Sequence, residues 1–393
     1  FFRELGPGVV TGAADDDPSG ISTYSITGAA YGLTMLWTVV LTFPLMAAVQ
    51  LMCARLALVS GEGLAGVIRR RYPRSVLWGA CGLLVVANVV NIGADLAGMA
   101  EPLELVTGIH HNLWLPVVAV GIVAALIWWS YRRLARGFKV LTLVLFAYVV
   151  TAVLARPDWP SVLKATFVPH LEWRAAYLAT VVGILGTTIT PYMFFWQASQ
   201  EVEEERAQGR VTRSARRGAS DAELAAARDD VLSGMGWAGV AMYFIILTTA
   251  TTLHASGQTD IQSAQQAAEA LRPLAGDAAY LLFALGIVGT GMLGVPVLAG
   301  SAAYAVAEAM HWRGALGGRP GVGRKFYGVV TTAVLLGLVL DMWNISAVKA
   351  MFYAAVVNGL LAPPLVVLIT LLSSDRAVMG DRVSGRWLRG LGW

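Results

Sequence analysis

The stretch Gly12-Ala13-Ala14-Asp15-Asp16-Asp17-Pro18-Ser19-Gly20 places three consecutive carboxylates and a proline inside an apolar segment, residues 8–31. A charged aspartate at the bilayer centre costs at least about 2.5–3.5 kcal/mol on insertion scales, so three in a row require a cation, a water-filled cavity or both. Proline removes a backbone donor and clashes with the preceding turn, and small neighbours let the helix unwind. We therefore predict a membrane helix that is broken at this stretch.

A second stretch, Gly186-Thr187-Thr188-Ile189-Thr190-Pro191-Tyr192, interrupts another apolar segment, residues 175–199. Prolines are also tolerated in membrane helices as plain kinks, so a proline alone does not separate a kink from a break. The charged residues of the first stretch favour two breaks. Each break is expected to expose carbonyl oxygens and the ends of half-helices.

The composition excludes an ordinary soluble enzyme. Of 393 residues, 14% are charged and 56% are hydrophobic, and the mean hydropathy is +0.63, whereas a soluble chain needs a larger polar surface. The net charge of +4 does not indicate nucleic-acid binding, because the basic residues form short clusters between apolar stretches. Cys53 and Cys81 lie in apolar runs and are expected to be packing residues. The chain begins at Phe1 without a methionine, so we expect a trimmed start.

About ten segments have the roughly 20 mostly apolar residues that a helix needs to cross about 30 Å of hydrocarbon. All are expected to be α-helices, since lipid cannot satisfy open backbone groups. The predicted spans are 8–31, 37–58, 76–100, 113–130, 140–155, 175–199, 234–253, 279–308, 326–341 and 345–372.

Basic residues cluster in alternate connections between these spans. They are Arg69, Arg70, Arg71 and Arg74; Arg132, Arg133, Arg136 and Lys139; Arg206, Arg210, Arg213, Arg216 and Arg217; Arg313, Arg319, Arg324 and Lys325; and Arg376, Arg382, Arg386 and Arg389. Because cytoplasmic loops carry an excess of Lys and Arg, we predict a multi-pass protein of the cell (inner) membrane with both termini in the cytoplasm. An even number of spans requires the same result.

The two breaks lie in the first and sixth of ten spans, which is the corresponding place in two five-helix halves. Paired interruptions of this kind indicate an inverted-repeat transporter with its substrate site at the repeat interface. We divide the chain into a first repeat (1–155), an extracellular connection (156–174), a second repeat (175–373) that includes a cytosolic segment (200–233), and a cytosolic tail (374–393).

The cytosolic segment contains a helix-start signal. Ser220 and Glu223 form a capping-box pattern, and we expect a short helix on the membrane surface from Asp221 to Val231. The outer connection at 254–276 is expected to be a loop with a short polar helix, without chemistry of its own.

Only one of the three adjacent carboxylates is expected to bind the ion directly. Successive helical positions are about 100° apart, so Asp15, Asp16 and Asp17 cannot face one point unless the backbone is unwound. We predict Asp17, next to the proline, as the ligand. Asp15 and Asp16 are expected to line the aqueous approach, where they raise the local cation concentration or hold ordered water. A protonated or helix-paired bystander role for either of them stays open.

Gly6-Pro7-Gly8 followed by Asp17-Pro18-Ser19-Gly20 resembles the first-helix signature of the Nramp divalent-metal transporters, Gly-Pro-Gly followed by Asp-Pro-Gly-Asn. Thr190-Pro191-Tyr192 stands where that family has Met-Pro-His. Weaker similarity runs through Ala94-Asp95-Leu96-Ala97 and Ala303-Tyr304-Ala305-Val306-Ala307-Glu308, so the resemblance covers nearly the whole chain. It implies an all-α membrane protein with a LeuT-like fold, discontinuous helices 1 and 6, and alternating access.

The chain departs from the family pattern at the metal site. By the resemblance, Gly20 replaces a metal-binding asparagine and Thr190 replaces a soft methionine. The ligands that remain are the Asp17 carboxylate, the carbonyls of Ala14 and Thr187, and the Thr190 hydroxyl. Losing the thioether removes discrimination against Mg²⁺, an ion usually held by one or two carboxylates with several waters retained. The pattern resembles the Nramp-related magnesium transporters. Mg²⁺ is therefore the expected cargo, with Mn²⁺ also considered, and no cofactor is expected.

The proton relay of the family is also depleted. The resemblance puts Tyr192 and Gln197 in place of two histidines, and Gly98 in place of an acid three positions after the retained Asp95. The candidates for the ion path are Asp15, Asp16, Asp95, Tyr192 and Gln197. Loss of groups that titrate near neutral pH implies transport without proton coupling. A proton-coupled Mn²⁺ or Fe²⁺ transporter is the alternative, since Asp95 remains.

Two other classes of protein fit less well. A sodium-coupled amino-acid symporter would bring a substrate carboxylate against three aspartates. An intramembrane enzyme lacks a His-Glu-x-x-His run, a nucleophile elbow or a His/Cys cluster with ligand spacing, and His110 and His111 are expected at the surface of an outer loop. The expected partners are a divalent cation and the lipid bilayer, with no nucleic acid. The sequence does not indicate an oligomeric state.

Overall fold

The computed structural model describes residues 6–128, 143–312, 316, 323–341 and 346–393. Within these ranges every regular element is a helix. The helices before residue 170 are α1 (Pro7–Asp15), α2 (Pro18–Tyr31), α3 (Trp37–Ser60), α4 (Leu64–Arg71), α5 (Arg74–Thr107), α6 (His111–Trp128), α7 (Phe146–Leu154) and α8 (Trp159–Phe167).

The remaining helices follow the extended segment that leads to residue 175. They are α9 (Ala175–Thr188), α10 (Pro191–Ala207), α11 (Arg213–Arg216), α12 (Asp221–Thr249), α13 (Ala264–Ala268), α14 (Arg272–Ala275), α15 (Ala279–Ala309), α16 (Arg324–Asp341), α17 (Ala347–Ser374), α18 (Arg376–Met379) and α19 (Arg386–Gly392). A π-helical turn, Ala250–His254, continues α12. Helices α13 and α14 lie in the outer connection where a short polar helix is predicted.

Seven helical segments within the described ranges are long and apolar enough to cross a membrane. They are Trp37–Ser60, Arg74–Thr107, His111–Trp128, Ala175–Ala207, Asp221–His254, Ala264–Ala309 and Ala347–Ser374. The first predicted span is not among them because α1 and α2 are separate, and α16 carries charged residues at its ends. Part of the fifth predicted span lies outside the described residues, as do Arg132, Arg133, Arg136, Lys139, Arg313 and Arg319 of the predicted cytosolic clusters.

Both breaks are present, and their second halves pack in corresponding ways. Helix α2, the second half of the first span, contacts α12, while α10, the second half of the sixth span, contacts α3. Helix α3 is the second span and α12 contains the seventh, so the two contacts join equivalent members of two five-helix sets. This pairing agrees with an inverted repeat, while the limits of the individual segments stay a prediction.

The Gly6-Pro7-Gly8 sequence allows α12 to cap the start of α1. Asp230 accepts hydrogen bonds from the backbone N–H groups of Gly8 (2.5 Å) and Val9 (3.3 Å). A Cβ added to Gly6 would lie 2.4 Å from the carboxyl carbon of Asp230. A carboxylate satisfies the open N–H groups of a helix start and interacts favourably with the helix dipole. Helix α1 is therefore held from outside its own repeat.

The prediction of a separate short surface helix from Asp221 to Val231 is wrong. Ser220 and Glu223 do form a capping box, but α12 then runs unbroken to Thr249. It continues through Gly234 because the backbones of α12 and α1 are in contact there: a Cβ on Gly234 would lie 2.0 Å from the Gly8 carbonyl oxygen. This close packing outweighs the low helix propensity of glycine. Helix α10 likewise extends to Ala207, into the predicted cytosolic segment.

Helix α9 crosses α17 with the two backbones in direct contact. A Cβ on Gly186 would lie 1.9 Å from the carbonyl oxygen of Ala355 and 2.3 Å from the backbone nitrogen of Gly359. Small residues permit this approach in membrane helix pairs. The contact fixes α9 a few residues before the second break.

We expect Gly186→Ala to lower the free energy of unfolding by about 1–3 kcal/mol, because the added methyl has no space between the two backbones. The measurement is the thermal unfolding of the detergent-solubilised protein, followed by size-exclusion chromatography. Gly82→Ala is the matched control, since a Cβ on Gly82 of α5 meets nothing within 4 Å. Identical transition temperatures for the two variants would contradict the packing described for Gly186.

Candidate metal site

The first break turns Asp17 into the cap of a half-helix. Asp16 and Asp17 have non-helical backbone angles (φ −82°, ψ 51° and φ −70°, ψ 171°). The Asp17 Oδ1 atom accepts hydrogen bonds from the Gly20 N–H at 2.8 Å and from the Ser19 hydroxyl at 2.7 Å. A carboxylate is a favoured N-cap, and the helix dipole stabilises its charge. The break therefore buries a carboxylate at the start of α2, where Asp17 is 2% exposed.

Two prolines release the backbone carbonyls that are predicted as ligands. The second break lies at residues 189–190, and Pro191 begins α10. A proline has no N–H to donate to the carbonyl four residues earlier. That carbonyl belongs to Thr187 for Pro191, and to Ala14 for Pro18. Both carbonyls therefore lose the hydrogen bond that a continuous helix would give them.

Tyr192 joins the two breaks. Its hydroxyl donates a hydrogen bond to the Ala14 carbonyl oxygen at 3.0 Å and lies 3.3 Å from Asp17 Oδ2. The side chain belongs to the first turn of α10, so the sixth span reaches into the break of the first. Tyr192 was predicted as a residue of the ion path, and the structure places it between two predicted ligands.

Oxygen atoms of both broken spans lie close to Gly20. A Cβ added there would lie 3.2 Å from the Asp15 carbonyl oxygen, 3.2 Å from Thr187 Oγ1 and 3.5 Å from Asp17 Oδ1. The hydroxyl oxygens of Thr187 and Thr190 are buried, and neither has a hydrogen-bond partner among the described residues. Thr190 is the residue that precedes α10. The missing side chain of Gly20 therefore lets these oxygen atoms approach the start of α2 closely.

Asp95 of α5 caps the same half-helix as Asp17. Its Oδ1 accepts a hydrogen bond from the Ser19 N–H at 3.1 Å, while Oδ2 has no partner among the described residues. Gly294 of α15 leaves the space for these acids, since a Cβ on it would lie 2.9 Å from the Asp17 Cβ and 4.0 Å from Asp95 Oδ2. Carboxylates from two helices therefore share the start of α2.

Asp15 and Asp16 are buried near this junction, each 1% exposed. Asp15 Oδ1 and both carboxylate oxygens of Asp16 have no hydrogen-bond partner in the described part of the chain. A buried ionised carboxylate is costly unless a proton or a cation neutralises it. The run of three aspartates therefore favours positive charge at the break, whichever of them contacts the ion.

Gln197 lies on a polar run that leads away from the junction. Its Oε1 accepts a hydrogen bond from the Thr11 hydroxyl at 2.6 Å, and its Nε2 donates to Glu201 at 2.9 Å. Glu201, which the sequence analysis missed, is 5% exposed. Its spacing of four residues from Gln197, on one face of α10, is the signal that would have found it. Gln197 is thus separated from the predicted ligands by the helix turns between it and Tyr192.

Two thioethers pack around Pro18. A Cβ on Gly98 would lie 2.4 Å from the Met351 sulfur and 3.4 Å from Pro18 Cβ. A Cβ on Gly291 would lie 2.3 Å from the Met99 sulfur and 3.1 Å from Pro18 Cγ. Met351 therefore fills the place of the acid that the resemblance expects at residue 98.

Known proteins match this chain along almost its full length. Residues 8–393 match the Nramp family model, described as natural resistance-associated macrophage protein-like. The divalent metal cation transporter MntH of Deinococcus radiodurans is 29% identical over 402 residues, covering 99% of this chain and 86% of that protein. The protein of the same name from Klebsiella pneumoniae is 28% identical over 400 residues, covering 99% and 90%.

Solved structures show the same fold. A crystal structure of the Eremococcus coleocola manganese transporter, in complex with an aromatic bis-isothiourea substituted compound, matches with a TM-score of 0.79 at 18% identity, covering 99% of this chain and 83% of that one. Mhp1, a nucleobase-cation-symport-1 family transporter in a closed conformation, matches with a TM-score of 0.59 at 16% identity, covering 98% and 81%. The predicted all-α, LeuT-like membrane fold is confirmed. With a family model that matches residues 8–393, this multi-pass membrane protein belongs to the Nramp family.

Proposed function

We propose that this protein carries a divalent metal cation across the cell (inner) membrane by alternating access. The observation that carries the proposal is the junction of the two broken spans, where Tyr192 meets Ala14 and Asp17 beside partnerless carboxylate oxygens. Relatives named as divalent metal cation transporters and a manganese transporter of the same fold support it. An intramembrane enzyme has no comparable support.

Mg²⁺ is the cargo that the chemistry of the junction favours. The atoms around the Gly20 position are carbonyl, hydroxyl and carboxylate oxygens, which are the ligands that hard cations prefer. Asp17 and Asp95 supply two carboxylates at the start of α2, and one or two carboxylates with several retained waters are the usual setting of Mg²⁺ in proteins. An ion that dehydrates reluctantly gains from such a site.

A proton-coupled Mn²⁺ or Fe²⁺ transporter is the second candidate. Met99 and Met351 bring sulfur atoms to Pro18, and a thioether near the site would improve binding of transition metals. The manganese transporter of Eremococcus coleocola, which has the same fold, supports the same alternative. The two candidates differ in which ion is carried and whether protons accompany it.

Transport without obligatory proton coupling follows from the side chains at the relay positions. Tyr192 keeps its proton near neutral pH, Gln197 is an amide, and residue 98 has no side chain. Inward movement of Mg²⁺ needs no proton gradient, because two charges crossing 100 mV gain roughly 4.6 kcal/mol at about 2.3 kcal/mol per charge. The membrane potential is therefore a sufficient driving force.

Both termini are assigned to the cytoplasm in this proposal. Arg213 of α11 pairs with Glu62, which follows α3, at 3.0 Å. Arg71 of α4 pairs with Asp375, which follows α17, and this hydrogen bond holds the pKa of the Asp375 carboxyl below its usual value. The loop after α3, the α11 segment and the C-terminal tail therefore share one side, and their excess of arginine favours the cytoplasm.

We expect Asp17→Asn to reduce divalent-metal uptake at least about 100-fold, since it removes the charged ligand, and Asp15→Asn or Asp16→Asn to reduce it less. The assay is uptake into proteoliposomes by protein that elutes as a single size-exclusion peak. Asp158→Asn is the matched control, because Asp158 caps α8 through Ser161 in the same way, outside the site. Full transport by the Asp17 variant would remove it from the ligand set.

Thr190→Met is expected to raise uptake of Mn²⁺ or Cd²⁺ relative to Mg²⁺ by roughly tenfold, because it adds a soft ligand at the start of α10. Competition assays with paired ions in proteoliposomes measure the ratio. Met99→Leu and Met351→Leu, which remove sulfur and keep volume, should leave the ratio unchanged. If either Leu variant lowers Mn²⁺ uptake selectively, or if the unaltered protein ignores millimolar Mg²⁺, the oxygen-only site is wrong.

Uncoupled transport predicts metal influx without acidification. Proteoliposomes loaded with a pH-sensitive dye receive a negative-inside potential and then external Mg²⁺. We expect influx of the metal with no change in internal pH that depends on it. Acidification that scales with Mg²⁺ influx and disappears in Asp17→Asn would establish coupling and favour the second candidate.

A further inference from the structure

A cavity of about 410 Å³ opens at the end of the bundle opposite the arginine-rich loops. Helix α5 runs from Arg74 at the arginine-rich end to Thr107 at the other, a length of about 50 Å at 1.5 Å per residue. The lining residues used here are Ala97, Glu101, Glu104, His111, Gln262 and Ala347. We call this cavity the outer vestibule.

Two residues that line the outer vestibule are next in sequence to residues that lie close to α2. Ala97 precedes Gly98, where an added Cβ would lie 3.4 Å from Pro18 Cβ. Ala347 precedes Val348, whose carbonyl oxygen accepts a hydrogen bond from the Ser22 hydroxyl at 3.3 Å. Helices α5 and α17, which both contact α2, therefore form walls of the vestibule.

Three metal-ligating side chains meet at the rim of the vestibule. One ligand atom from each of Glu104, His110 and His111 lies within 4.8 Å of the other two. His111 Nδ1 lies 2.6 Å from Glu104 Oε2, and the two imidazole rings stack with centroids 4.4 Å apart. These side chains are partly exposed, 40% for His111 and 34% for Glu104.

The ligand types at the rim differ from those at the broken helices. Two imidazoles and a carboxylate suit Zn²⁺ and other transition metals, whereas Mg²⁺ prefers oxygen alone. Three protein ligands also leave a fourth tetrahedral position for water. Glu104 is nine residues beyond Asp95 on α5, about 14 Å along the helix axis. The rim and the proposed transport site are therefore separate in both place and chemistry.

We propose that Glu104, His110 and His111 form a second metal site, which binds Zn²⁺ or a similar transition metal and slows divalent-metal uptake when it is occupied. The bound cation adds positive charge at the mouth of the vestibule and holds Glu104, which otherwise attracts incoming ions. The inhibition by Zn²⁺ rests on the proposed transport function and on the assignment of the vestibule end of the bundle to the outside of the cell. The binding of Zn²⁺ at the rim depends on neither assumption.

Binding is tested with Zn²⁺ alone, by calorimetry on the full chain in detergent. The comparison is made in Asp17→Asn, which disables the proposed transport site. We expect this variant to bind Zn²⁺, and His110→Ala with His111→Ala in the same background to weaken the affinity at least tenfold. His170→Ala is the matched control, because this exposed histidine has one carboxylate neighbour, Glu172 at 3.2 Å. Absent Zn²⁺ binding, or unchanged affinity after loss of both rim histidines, overturns the site.

Inhibition is tested by uptake of whichever divalent ion the unaltered protein carries, with Zn²⁺ added outside. Loss of both rim histidines should leave uptake without Zn²⁺ unchanged and raise the half-inhibitory Zn²⁺ concentration at least tenfold. Equal Zn²⁺ sensitivity with and without these histidines overturns the inhibitory role. The binding experiment gives its answer even if the protein carries no Mg²⁺, so failure of the rim site and failure of the proposed function can be told apart.

Discussion

A carbonyl oxygen inside a bilayer needs a donor or a cation, and Ala14 and Thr187 have lost the donor that a continuous helix would supply. Neighbouring groups compensate for these breaks. Tyr192 crosses from the sixth span to hydrogen-bond Ala14, and close backbone contacts hold the flanking half-helices in place. Irregular backbone at this depth is tolerated only where protein encloses it or a polar cavity meets it.

The sequence was sufficient to predict the two breaks, because the effect of proline is local and the three adjacent aspartates favour a break over a plain kink. It also predicted the capping of α12 and most membrane spans, which depend on short-range patterns. The position of Tyr192 could not be predicted without the family resemblance, since it depends on packing between residues 178 positions apart. Contact with Gly8 of α1 keeps α12 continuous. The sequence of α12 alone does not predict that contact.

The two carboxylate oxygens of Asp17 have different hydrogen-bond partners. Oδ1 is committed to capping α2 through Ser19 and Gly20, whereas Oδ2 lies on the side of Tyr192. A cation bound at the junction, as proposed, would therefore meet one oxygen that is already polarised by hydrogen bonds and one that is more available. Such single-oxygen binding suits an ion that keeps part of its water shell. The Asp-Pro-Ser-Gly sequence produces this difference because it makes Asp17 the N-cap of α2.

The hydroxyl of Tyr192 bears on the step of a transport cycle in which the empty carrier reorients. The uncoupled carrier proposed above would have to reorient without cargo, and the oxygen atoms of its vacant site would repel one another. In the proposed cycle the Tyr192 hydroxyl, which lies between the Ala14 carbonyl and Asp17, would take the place of the ion. The metal would displace this proton donor by rotation of a side chain and not by release of the proton to water. In the proposed cycle Tyr192 would therefore bind and release no proton of its own.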